Sequence, residues 1–345
     1  MKIKLKPIDK QVIVITGATC GIGLTTARMA AEQGATLVLA ARNAEALDQL
    51  AQELGADEVP VATVAADVAN AEDIARIAET AITRFGRIDT WVNNAGVAVF
   101  GRLEEIRPED HRRLFETNFW GVVNGSLEAV KYMKARGGAL INLGSEVSDR
   151  AVPLQGMYSA SKHAVKGFTD ALRMELEHDR VPVSVTLIKP AAVDTLFAVH
   201  AKNYMDREPA LPPPIYAPEL VANAILHAAQ HQKRDVFVGA ASKAFSVGGF
   251  HLPGLMDKYM SKAMFKQQKS DEPTHKDRPD ALYEPDPGQE LRQRQGMSSK
   301  VLESCPYTTV SLNRKPLMAA LLGGSALYAM WSWQRKGQRQ LLTSG

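Results

Sequence analysis

Cysteine is scarce in this chain. Only Cys20 and Cys305 occur among 345 residues, far apart and in segments of different character. That argues against a disulfide framework and for a reducing compartment. No Cys or His cluster has metal-ligand spacing, and the eight His residues are scattered, so no metal site is expected. The N-terminal region lacks a long apolar run: Lys2, Lys4 and Lys6 precede Val12 to Ile15, a stretch far shorter than the core of a secretion signal, and a cytoplasmic N-terminus is expected. A strong charge bias is also missing. The net charge is +3, and residues 290 to 345 hold eight Lys or Arg against two Glu, leaving the remainder mildly acidic. With no aromatic-basic interleaving in the core, nucleic acid is not an expected partner.

Hydrophobic residues at 45% and charged residues at 23% allow a full core and exclude a wholly disordered chain. From residue 11 to about 240, short β-branched runs alternate with longer helical stretches. The strands expected are Val12 to Ile15, Thr36 to Ala40, Val61 to Val64, Thr90 to Asn93, Ala139 to Leu143, Val183 to Ile188 and Val236 to Val238. Most are apolar throughout, as strands covered on both faces must be. The expected fold class is therefore α/β, a Rossmann-type doubly wound, seven-stranded parallel sheet occupying residues 1–240.

Residues 195 to 216 interrupt this rhythm with a Pro212, Pro213, Pro214 run and read as a lid or binding loop. Residues 241–266 read as a helical extension with one apolar face, and 267–310 as a flexible linker, polar and Pro-rich without a period. The last part, 311–345, is a basic tail around an uncharged segment, Leu317 to Trp333, at the short edge of the range for a membrane-spanning helix. Tyr328, Trp331 and Trp333 gather at one end of it in the manner of an interfacial belt, which makes membrane association through 317–333 an expectation to test.

After the first strand stands Thr16-Gly17-Ala18-Thr19-Cys20-Gly21-Ile22-Gly23, opening an amphipathic stretch. Gly17, Gly21 and Gly23 let the backbone turn tightly and approach a pyrophosphate, while Thr19, Ile22 and the helix start offer donors to that anion. A strand, glycine turn and helix in the first βαβ unit point to a dinucleotide. About 20 positions on, an acidic residue would bind a free ribose 2′-hydroxyl. Arg42 occupies that stretch, and a guanidinium there favours a 2′-phosphate, so NADP is expected over NAD.

Three further motifs follow: Asn93-Asn94-Ala95-Gly96, then Ser145, then Tyr158-Ser159-Ala160-Ser161-Lys162. With the glycine turn in register, the chain resembles the short-chain dehydrogenase/reductase family over about residues 8 to 240. The resemblance implies Asp67 near the adenine, Asn94 on the cofactor wall, and Pro190 to Thr195 beside the nicotinamide. It implies Asn118 holding a water that relays protons, and Lys162 binding the nicotinamide ribose as well. It also implies homo-oligomers formed through the helices containing Asn118 and Tyr158. Two positions depart from the family's habit: Ala191 stands where glycine is frequent, and Cys20 where NADP-preferring members often carry a basic residue.

Tyr158 and Lys162 are four apart and share one helical face. An ammonium beside the phenol, helped by oxidised nicotinamide, favours the phenolate, so Tyr158 is expected to act as general acid in reduction and base in oxidation. Ser145 is expected to hold the substrate oxygen. The function expected is NADP-dependent interconversion of a carbonyl and a secondary alcohol. Met205, Leu211, Ile215 and Tyr216 suggest a lipophilic substrate. The alternative is a membrane-tethered scaffold or sensor that binds the dinucleotide without turnover.

Overall fold

Val12–Thr16, here β1, is a run of β-branched residues with every side chain buried, and it is an inner strand of the sheet. The computed structural model describes residues 3–56, 58–275, 277–296 and 300–313. The other strands are β2 (Thr36–Ala41), β3 (Val61–Ala65), β4 (Thr90–Asn93), β5 (Gly138–Leu143), β6 (Val183–Pro190) and β7 (Asp235–Val238). They pair in the order β7-β6-β5-β4-β1-β2-β3, every pair parallel. All seven expected strands are present, each within two residues of its expected ends. The order reverses direction between β1 and β4, which opens a crevice beyond their carboxyl ends.

The crossovers run through α1 (Gly21–Glu32), α2 (Ala44–Gly55), α3 (Ala71–Phe85), α4 (Pro108–Phe115), α5 (Gly121–Met133), α6 (Gly156–His178) and α7 (Pro218–Gln230). Alternation along each strand divides the core in two. Val12, Val14, Val38 and Val64 pack with Ile74 and Ile77 of α3, Met133 of α5 and Leu172 of α6. Ile13 and Ile15 point to the opposite face, and α1 packs against α7. Local chemistry sets the helix ends. The Asn43 and Asn70 side chains accept from the amides of Ala46 and Glu72, and Gly86, with φ 75°, closes α3 in the left-handed region.

The C-terminal third departs from expectation in two ways. The single apolar-faced helix expected over 241–266 is broken at Leu252-Pro253 into α8 (Ala240–His251) and α9 (Pro253–Tyr259), followed by a π-helical turn, Met260–Met264. Met260 and Met264 are buried, whereas Phe250, Leu252 and Leu255 are exposed.

The flexible linker expected from residue 267 is, as far as Cys305, part of the folded unit. Lys269–Pro273 pairs antiparallel with Arg207–Pro209, and Val301–Leu302 pairs with Ile215–Tyr216. Arg278 binds Glu208 and the carbonyls of Ala198 and Val199, and Lys202 binds Asp280 at 2.9 Å. This segment is held by ion pairs and carbonyl bonds to distant residues, which leave no hydrophobic period to read. A second unit begins at Pro306, and its described part is a short helix, Pro306–Leu312. Among the described residues no helix is long and apolar enough to cross a membrane. The span candidate 317–333 lies outside the described residues.

Candidate active site

The turn after β1 is shaped by close approach. Gly17 has φ +64°, and its carbonyl and that of Thr16 accept from Asn94 Nδ2 at 3.0 and 2.9 Å. A Cβ at Gly23 would stand 2.0 Å from the Gly17 carbonyl oxygen, so only glycine lets α1 begin against the turn. Gly21 lies against Thr195, where an added Cβ would meet the threonine Cβ at 3.2 Å. Asn94 is thus a brace of the turn itself. Its backbone amide donates to the Thr16 hydroxyl at 3.1 Å, tying the end of β4 to the end of β1.

Beyond β5 the chain enters a capping turn in which Ser145 Oγ accepts from the Val147 amide at 3.3 Å. Tyr158 and Lys162 lie one turn apart near the start of α6, both buried at the same cavity. The Tyr158 phenol lies close enough to Ser145 for the serine side chain to favour its ionised form. Lys162 Nζ donates to the Leu143 carbonyl at 2.8 Å and lies 5.7 Å from the centroid of the Tyr158 ring.

Asn118 sits in a π-helical turn, Glu116–Trp120, that joins α4 to α5. Such a bulge turns a side chain out of register, a frequent device at functional sites. Asn118 Oδ1 accepts from the Val97 amide at 2.8 Å, and its Nδ2 donates to the Val97 carbonyl at 2.9 Å and to Ser161 Oγ at 3.3 Å. Gly96 separates it from Lys162: a Cβ there would be 3.4 Å from Asn118 Oδ1 and 4.0 Å from Lys162 Nζ. Ser145, Tyr158, Lys162 and Asn118 are therefore brought to one place.

Burial governs their electrostatics. It pushes the Tyr158 phenol up, opposed by the Ser145 side chain and reinforced by Glu146. The phenolate's desolvation is the largest effect on Tyr158, and the Lys162 ammonium is turned to a backbone carbonyl; the lowering expected from ammonium and oxidised nicotinamide together belongs to the cofactor-bound site. Burial also lowers Lys162 to about 8 and raises Glu146 to about 7. Sequence reasoning passed over Glu146, although its position directly after Ser145 was a signal. It also missed Gln155 and Gln268, bonded to each other at 2.6 Å across 113 residues, for which no local signal exists.

Pro190, Ile22, Asn94 and Thr195 join this group around a cavity of about 440 Å3. Its far wall is largely apolar, built by Leu211, Pro212 to Pro214, Phe245 and Met256. Of the four apolar residues expected to line it, Leu211 does so. Met205, Ile215 and Tyr216 are buried in the packing that supports the wall.

A second cavity of about 190 Å3 lies at the other end of the glycine turn, lined by Gly17, Thr19, Gly21, Arg42 and Asp67. Asp67 Oδ1 accepts from the Ala69 amide at 3.0 Å, and its Oδ2 pairs with Arg113 at 2.6 Å. Arg42 does not stand free. Its Nη1 donates to the Tyr283 carbonyl at 2.9 Å and its Nη2 to that of Ala281 at 2.7 Å. Cys20 has its thiol pushed up to about 12 by burial and by the charge of Glu290, which leaves it unreactive. No His, Cys, Asp or Glu cluster able to hold a metal occurs among the described residues.

A family model described as short chain dehydrogenase matches residues 11–205. An uncharacterised oxidoreductase of Bacillus subtilis, YxnA, is 47% identical over 331 residues, covering 95% of this chain and 92% of that protein. Among solved structures, a short-chain dehydrogenase/reductase from Burkholderia phymatum in complex with NAD matches with TM-score 0.66 and 27% identity, over 73% of this chain and 97% of that one. The L-sorbose reductase of Gluconobacter frateurii, complexed with NADPH and L-sorbose, matches with TM-score 0.59 and 26% identity, over 69% and 97%.

Proposed function

The chain belongs to the short-chain dehydrogenase/reductase family of oxidoreductases, and from that premise we propose that it interconverts a lipophilic carbonyl compound and the matching secondary alcohol, with Tyr158 moving the proton. The observation that carries this is the convergence of Tyr158, Ser145 and Lys162 in the lining of one largely apolar cavity that also touches the glycine turn at Ile22.

The residues that would hold the dinucleotide are the turn from Gly17 to Gly23, closed to any side chain at Gly23, with Asn94 and Thr195 beside it. When bound, its nicotinamide supplies or accepts the hydride. Ser145 donates a hydrogen bond to the substrate oxygen and holds it within reach of the phenol. Tyr158 gives its proton to that oxygen in reduction and takes it back in oxidation. The Lys162 ammonium returns a proton to the phenolate along a path that Asn118 orients, and burial brings the neutral amine this leaves within reach of ordinary pH. Pro190 frames the nicotinamide end.

NADP, expected from Arg42, requires a guanidinium free to meet a 2′-phosphate. Both terminal nitrogens of Arg42 are engaged by carbonyls, so a phosphate has to compete for them. Trp120, Leu127 and Met174 are exposed on or beside the helices expected to pair subunits, which supports a homo-oligomer. The scaffold alternative is not favoured, because the family is one of oxidoreductases and Ser145, Tyr158 and Lys162 line one cavity.

The test is a panel of ketones, aldehydes and alcohols followed by absorbance of the reduced nicotinamide. Turnover of medium-chain or polycyclic apolar carbonyls is expected. Activity confined to small polar sugars overturns the substrate class, and absence of any nicotinamide binding overturns the reading.

A further inference from the structure

The outer edge of the glycine turn is paired with chain from the far end of the sequence. The Leu291 amide donates to the Thr19 carbonyl at 2.9 Å, and the Gly21 amide donates to the Arg292 carbonyl at 2.9 Å. Residues 281–292 thus form a strap across the adenosine end of the site. Its other end is pinned by Leu282, which is fully buried, and by the Tyr283 hydroxyl, which donates to Asp110 at 2.7 Å.

The strap changes the chemistry beneath it. It takes up both terminal nitrogens of Arg42 with backbone carbonyls, removing the donors that a 2′-phosphate needs. It also adds two carboxylates to the wall of the smaller cavity, Asp286 and Glu290. Glu290 lies beside Thr19, Asn43 and Arg42, at the end of β2 where a ribose 2′ substituent is read. One oxygen of each carboxylate, Asp286 Oδ2 and Glu290 Oε2, is buried with no hydrogen-bond partner. A buried acceptor without a donor is uncommon and asks for one. A ribose hydroxyl is a donor. A phosphate offers acceptors and negative charge, and would face both carboxylates at short range.

We propose that the strap, through Glu290, makes the adenosine pocket select a 2′-hydroxyl and reject a 2′-phosphate, so that NAD(H) is the cofactor of the strapped enzyme despite Arg42. This rests on the dinucleotide reading of the glycine turn. The specificity residue stands about 250 positions after the arginine it overrides, in a segment without periodicity.

The experiment titrates the full-length protein by calorimetry with 5′-AMP and with 2′,5′-ADP, the adenosine halves of the two cofactors. The wild type is expected to bind 5′-AMP the more tightly. Glu290→Gln is expected to tighten 2′,5′-ADP by about tenfold or more, the scale of one like-charge contact removed, with 5′-AMP changed little. Asp286→Asn moves the ratio in the same direction and serves if Glu290→Gln does not fold. A ratio of the two affinities unchanged by both substitutions, or a wild type preferring 2′,5′-ADP, overturns the strap proposal and leaves the dinucleotide reading standing. Binding of neither nucleotide by the wild type overturns both.

Discussion

The two ends of the proposed dinucleotide crevice are built in opposite ways. At the nicotinamide end, Ser145, Tyr158 and Lys162 lie within 18 residues of one another, and the β5 to α6 segment that carries them also packs them. At the adenosine end, Thr19, Arg42 and Asp67 come from the first three βα units, yet their partners are Ala281, Tyr283, Glu290 and Arg113, contributed by remote chain. The first end is a local motif given a cavity. The second is an ordinary Rossmann edge whose character is rewritten by a strap. The lesson is that a motif reports the chemistry of a site only when the groups that finish it are nearby in sequence.

The contrast can be broken at its strongest point by Tyr158→Phe. Removing the phenol proton while leaving the ring is expected to lower kcat by about 10²- to 10⁴-fold, with nucleotide affinity at the adenosine end unchanged. Steady-state rates beside calorimetric titration decide it, and retained turnover sinks the assignment.

A second effect, smaller, belongs to the same end and is read without any ligand. Lys162 is lowered by burial to about 8, below its ordinary value of 10.5. Between those values the unfolded chain binds more protons than the folded one, so stability rises with pH across that window, and the full cost of burying the charge is present below about 8. Against Lys162→Met, the wild type should gain on the order of 3 kcal/mol of relative stability from pH 7.5 to 10.5, measured by denaturant unfolding. Parallel pH profiles for the two proteins would show that the ammonium is not held in a desolvated site.

The smallest expected effect separates the strap from the catalytic end. Tyr283→Phe removes one hydrogen bond to the buried Asp110, and a loss of about 0.5–1.5 kcal/mol is expected. It should speed hydrogen exchange of the Leu291 amide while exchange of the β5 amides stays as in wild type. Equal acceleration at both places would mean that the two ends are one cooperative unit.

How much was legible follows the same division. The seven strands could be read because each is a short, mostly apolar and β-branched run set between longer helical stretches. The shared face of Tyr158 and Lys162, the core of the proposed catalytic set, could be read because the two are one helical turn apart. The place of Arg42 after β2 could be read but its engagement could not, because nothing in residues 36–55 announces three carbonyls arriving from 281–283. The strap itself looked like linker because it is held by arginines and carbonyls, which have no hydrophobic rhythm.

What the sequence determined alone is therefore the parallel sheet, the glycine turn and the phenol with its ammonium, all products of short-range backbone preference and periodic burial. Tertiary structure decided what surrounds them. It desolvated Tyr158 and Lys162, placed Glu146 and Gln268 at the cavity, and laid Glu290 beside Arg42, because charge and hydrogen-bond partnership depend on which chains meet in space.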